Sequence, residues 1–160
     1  MKRLNRATRA IAGAMAVLFA VLLAAASPGF AQAGKGLVDF NTAPESELVA
    51  LPHMTADIVK AMVAKRPFKT VVELNAFLLD QKLTADQTKE FYRKAFVPIN
   101  LNTGTKPEFL LIPGVGPRMS GEFEEYRPWK TWAQFDKEIG KYVGQTETDR
   151  LKQYFFIPTS

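Results

Sequence analysis

Apolar residues recur along this chain in short bursts at helical spacing, and each burst is bounded by turn residues. Leu48 and Leu51 form one burst, and Ile58 and Met62, four apart, form the next. Val71, Leu74, Phe77 and Leu78 follow at a spacing that also suits one helix face. The pattern predicts helices over residues 43–50 and 56–65, a third beginning at 71, and a fourth that ends near Phe96. Three of the four starts carry a capping-box pair: Thr42 with Glu45, Thr70 with Glu73, and Thr84 with Gln87. Residues 52–55 read as a turn. Arg66-Pro67 ends the second helix, because a residue before proline disfavours the helical region. No run alternates as a strand would, so residues 37–40 and 98–101 read as short extended linkers. The expected fold is all-α, a bundle of short helices.

The pattern occurs twice. FNTAPESELVALPHMTADIVKAMVAKRPFKT, from Phe40, aligns without gaps to LNTGTKPEFLLIPGVGPRMSGEFEEYRPWKT, from Leu101. Identical pairs include Asn41/Asn102, Pro52/Pro113, Arg66/Arg127 and Thr70/Thr131, and the apolar positions match between them. After a one-residue gap, Phe96-Val97-Pro98 matches Phe156-Ile157-Pro158. This is a tandem duplication with units over 34–98 and 99–160. In the second unit Thr131 with Gln134 caps the third helix, and Thr146 with Asp149 marks the start of the fourth. Units of about 60 residues are marginal alone, so the two are expected to pack together. Phe91, Trp129, Trp132, Phe135 and Phe155 read as core rather than as platforms for stacked bases.

The first 33 residues read as a cleavable signal peptide. Lys2, Arg3, Arg6 and Arg9 precede an apolar run over 11–26, and Ala31-Gln32-Ala33 supplies the cleavage site. That run is shorter than the ~20 residues a spanning helix needs. The exported chain is expected to be periplasmic or secreted, without stable membrane insertion. It has no cysteine, so disulfides cannot hold it in an oxidising compartment. The leader also carries most of the positive charge. The full chain has 21 Lys+Arg and 16 Asp+Glu; without the four leader cations the balance is 17 to 16, net +1. A strongly basic surface is the usual mark of a nucleic-acid binder, and the exported chain lacks it.

The stretch with most chemistry is IPGVGPRMS, residues 112–120. Glycines at 114 and 116 permit a tight turn and leave no side chain to hold an anion away. Pro117 suits the first position of the next helix. The free N–H groups of that helix and its positive dipole end would then form an anion site made of backbone. Arg118 adds a charge within reach. The same turn would also serve simply to join two helices.

With both repeats in view, NLNT, EFLLIPGVGPRM and YRPWKT resemble the tandem helix-hairpin-helix domain of the ComEA-type competence proteins. The resemblance implies an exported receptor that holds double-stranded DNA weakly and without sequence preference. It places phosphate contacts at Pro113, Gly114, Val115, Gly116 and Arg118. Only that one of four hairpin positions keeps the glycine pattern. In the first unit His53 and Thr55 replace the two glycines, and Asp57 stands where the second has Arg118. The position near 80–84 has no glycine, and the one near 140–144 keeps glycines at other spacing. Glu122, Glu124 and Glu125 read as a solvated face. One hairpin implies roughly 2–3 phosphate contacts, hence affinity near the weak end of the ~10⁻⁴–10⁻⁶ M range for non-specific binding.

The alternative is a periplasmic protein–protein interaction or structural module on the same scaffold, with DNA binding lost. Catalysis is not expected. The exported chain has one histidine, no cysteine and no carboxylate cluster at metal-ligand spacing, so no metal or cofactor is expected either.

Overall fold

The computed structural model describes residues 36–158; the leader predicted over 1–33 lies outside them. The described chain is mostly helical, with short strand bridges. The first repeat runs β1 (Val38–Asp39), α1 (Glu45–Val49), α2 (Ala56–Lys65), α3 (Val71–Asp80), α4 (Ala85–Tyr92) and β2 (Ala95–Phe96). The second runs β3 (Ile99–Asn100), α5 (Lys106–Phe109), α6 (Pro117–Glu125), α7 (Trp132–Lys152) and β4 (Phe155–Phe156).

The extended pieces are more than linkers. In each repeat the first strand pairs in parallel with the last, Val38 opposite Ala95 and Ile99 opposite Phe155. Two-residue strands are too short to show an alternating pattern, so the sequence carried no sign of them. The expected fourth helix of the first repeat is shorter for the same reason: α4 stops at Tyr92, and Ala95–Phe96 belong to β2.

The residues shared by the two repeats hold each unit closed. Asn41 donates through Nδ2 to the Phe68 carbonyl and accepts from the Phe68 N–H, both at 2.9 Å. Asn102 makes the same pair with Trp129, at 2.9 and 2.6 Å. Arg66 donates to the Ala43 carbonyl at 2.8 Å, and Arg127 to the carbonyls of Leu101 (2.8 Å) and Gly104. These hydrogen bonds tie the start of each repeat to the segment before its third helix, which accounts for the identities without a ligand.

The caps follow local sequence with two exceptions. Thr70, Thr84 and Thr131 accept from the N–H of Glu73, Gln87 and Gln134, as expected. Thr42 does not cap α1; Pro44 stands at that N-cap, without a side-chain bond. In the second repeat the matching residue is Thr105, which donates through N–H and hydroxyl to Glu108 Oε2, each at 2.8 Å. Thr146 does not cap the fourth helix either, although that helix begins where expected. The range of α7 covers two helical pieces separated at Gly144 (φ 76°, ψ 170°), a backbone region open only to glycine, and Thr146 lies in the first turn of the second piece.

One hydrophobic cluster spans both repeats. Phe91, Trp129, Phe135 and Phe155 are buried in it, whereas Trp132 is half-buried and packs edge-on against Phe135. On α2 the buried pair is Val59 with Met62, and Ile58 only borders the core. The repeats meet where α3 touches α5 and where Phe96 packs edge-on against Tyr154, ring centroids 4.9 Å apart. A shared core lets two marginal units stabilise one another.

Candidate nucleic-acid interface

Residues 112–116 form the turn between α5 and α6, and the five predicted site residues all lie on it or in the first turn of α6. Pro113 is buried, Val115 and Gly116 are half-buried, and Gly114 and Arg118 are exposed. Gly114 has φ 86°, the left-handed region that favours glycine. Gly116 is the N-cap of α6 at an ordinary φ of −105°, with open space where a side chain would stand. Having no side chain, it cannot accept from the first N–H groups of α6, and no other side chain caps them. Those donors and the positive end of the helix dipole remain for an anion.

The matching turn of the first repeat is closed at every one of these points. His53 stands in place of Gly114 and still takes a left-handed φ of 63°. Thr55 stands in place of Gly116, and its Oγ1 accepts from the Ile58 N–H at 3.3 Å, so α2 is capped by its own chain. Exposed Asp57 stands in place of Arg118. His53 Nε2 lies 2.6 Å from Glu90 Oε2 on α4.

The one-residue gap in the alignment brings Glu90 opposite Arg150 in the second repeat. Arg150, on α7, also reaches back to its own turn. Its Nη2 donates to the Pro113 carbonyl at 2.8 Å and would lie 3.3 Å from a Cβ at Gly114. Arg150 also forks Glu147, Nε to Oε2 at 2.7 Å and Nη2 to Oε1 at 2.6 Å. That pairing holds the Glu147 carboxyl below the usual carboxylate range and raises the Arg150 guanidinium further. Arg150 was not among the predicted site residues, since 37 positions separate it from Pro113. The charge reversal against Glu90 was the one sequence signal that could have found it.

Arg118 faces a groove of about 420 Å³ between α6 and α7, lined also by Gly116, Glu122, Lys141 and Tyr142. Arg118 lies 5.9 Å from the Tyr142 ring centre. Lys141 donates to Tyr126 Oη at 2.7 Å and to Glu138 Oε2 at 2.9 Å, and these bonds raise its pKa. Glu122 departs from the expected solvated face. Only Glu124 and Glu125 are exposed, while Glu122 lines the groove with its Oε2 buried. Two carboxylates thus offset the two cations beside the groove, so its field is weak. Among the other described turns, Lys82 holds one at φ 70°, and Gly144, at φ 76° with open space beside it, lies at the break in α7 without the Gly-x-Gly spacing of residues 114–116.

Among the described residues, no three His, Asp or Glu side chains are grouped to hold a metal ion, and no helix is long and apolar enough to cross a membrane. No family model, curated protein or solved structure matches the chain.

Proposed function

We propose that this is an exported, non-catalytic protein that binds double-stranded DNA without sequence preference. In this reading the chain is a duplicated helix-hairpin-helix protein of the competence-receptor kind, and the second repeat grips the phosphate backbone through the turn at Gly114, Val115 and Gly116, assisted by Arg118. The observation that carries it is the set of paired differences between the two turns. His53 against Gly114, Thr55 against Gly116, Asp57 against Arg118 and Glu90 against Arg150 all differ in one sense. Each second-repeat residue removes a side chain, frees a donor or adds a cation.

Contacts of this kind go to phosphate and carry no base information, which suits a receptor that must accept any sequence. The near-neutral charge of residues 34–160 predicts weak binding with a shallow salt slope. Equilibrium titration of a labelled duplex at low and moderate ionic strength tests the reading. Salt-sensitive binding, lost in Arg118→Glu, supports it; no binding at low ionic strength removes it.

A second reading, a protein-binding module, draws on Leu79 and Leu110. Both are exposed, and they line one cavity of about 220 Å³ between the repeats. A stable periplasmic partner, captured equally well by wild type and by Arg118→Glu, would favour it.

A further inference from the structure

Arg150 touches the same turn as the predicted contacts, and its guanidinium is already engaged by a carboxylate in the fork geometry that a phosphate would use. We infer that Arg150 is the main charged group of the hairpin site, and that Glu147 is an internal stand-in for phosphate which DNA displaces. This deepens the DNA-binding reading and rests on it.

Three observations support an exchangeable pair. Both side chains are solvent-accessible, at 32% for Arg150 and 37% for Glu147, so a phosphate can approach without unfolding α7. Arg150 Nη2 donates to the Pro113 carbonyl as well as to Glu147, so the guanidinium keeps one tie to the turn when the carboxylate leaves. The ion pair is i,i+3 on one helix and open to solvent on one side, and a phosphate offers the guanidinium the same two-point geometry in exchange. The first repeat lacks the device, because Glu90 holds the matching place and pairs with His53. Arg150 Nη2 approaches the turn at Gly114, whereas Arg118 sits beside Tyr142 in the neighbouring groove. The two cations therefore serve different phosphates.

Duplex binding of wild type, Glu147→Gln, Arg150→Gln, their double variant and Glu124→Gln, each across a salt series, tests the inference. Glu124 is exposed on α6 and controls for simple loss of a negative charge. Glu147→Gln should tighten binding about two- to fivefold, the size of one exposed ion pair. The salt slope should stay at the wild-type value, because Arg150 meets the same phosphate in both proteins, whereas Arg150→Gln should flatten the plot of log K against log salt by about 0.9. The gain in affinity should vanish in the double variant, and Glu124→Gln should bring no such gain. Arg150→Lys keeps the charge without the fork and should retain the wild-type slope. If wild type binds but Glu147→Gln binds no more tightly, or its gain survives Arg150→Gln, the inference is overturned. If neither wild type nor Glu147→Gln binds, the DNA-binding reading falls and takes this inference with it.

Discussion

Glu90 and Arg150 hold the same place on the last helix of their repeats and reach the same turn with opposite charge. Glu90 meets His53 at 2.6 Å; Arg150 meets the Pro113 carbonyl at 2.8 Å. One scaffold thus presents one turn closed by its own side chains and one turn open to an anion.

The closed turn should therefore be convertible. Replacing His53, Thr55, Asp57 and Glu90 by Gly, Gly, Arg and Arg gives the first repeat the residues of the second. The expected outcome is tighter duplex binding, with a salt slope steeper by about 1–2. Fluorescence anisotropy across a salt series checks it. An unchanged slope would mean that these four positions do not make an anion site.

The two glycines should separate folding from binding. Gly116 has ordinary backbone angles and open space around it, and threonine fills the same N-cap in the first repeat. Gly116→Thr should change stability by only a few tenths of a kcal/mol. It should still abolish DNA binding, by occupying the donors and the space. Gly114 has φ 86°, so Gly114→Ala should cost about 1–2 kcal/mol. Thermal melts and duplex titrations of the two variants make the comparison. Full binding by Gly116→Thr would show that the end of α6 does not touch phosphate.

Much of this was legible from local sequence. The bounds of α2, the caps at Thr70, Thr84 and Thr131, and the glycine turn each depend on neighbours within four residues. The β1–β2 and β3–β4 pairs were not legible, because two residues carry no period. Arg150 was missed because its tie to Pro113 depends on how α7 returns to the turn, which no local pattern encodes. Glu122 was misread because a helix of nine residues buries part of one side against α7, and its acidic run alone does not say which side.

The asparagine clamps should be structural only. Asn102→Ala removes two hydrogen bonds and leaves the Trp129 N–H and carbonyl without that partner. The expected cost is about 2–3 kcal/mol, and Asn41→Ala should cost about the same. Urea unfolding measures it. DNA affinity per folded molecule should not change in either variant.

Stability should fall at high pH through Tyr92. Its hydroxyl is buried and donates to Asn75 Oδ1 at 2.9 Å, and burial raises its pKa above the ordinary value of about 10. The unfolded chain loses this proton first. The contribution is therefore intact below about pH 10 and declines as pH rises above it. Tyr92→Phe should cost about 1 kcal/mol at neutral pH and flatten the decline. Urea unfolding at neutral pH and near pH 11 compares the two. Parallel pH profiles would show that Tyr92 does not carry the effect.

The most direct test of the account is an amide-resolved NMR titration of the protein with a short duplex at low salt. The account predicts shift changes concentrated at Gly114, Val115, Gly116, Arg118 and Met119, with His53, Met54 and Thr55 unmoved. Changes at the His53 turn equal to those at Gly114, or none at Gly114 and Gly116 while DNA is bound, would contradict it.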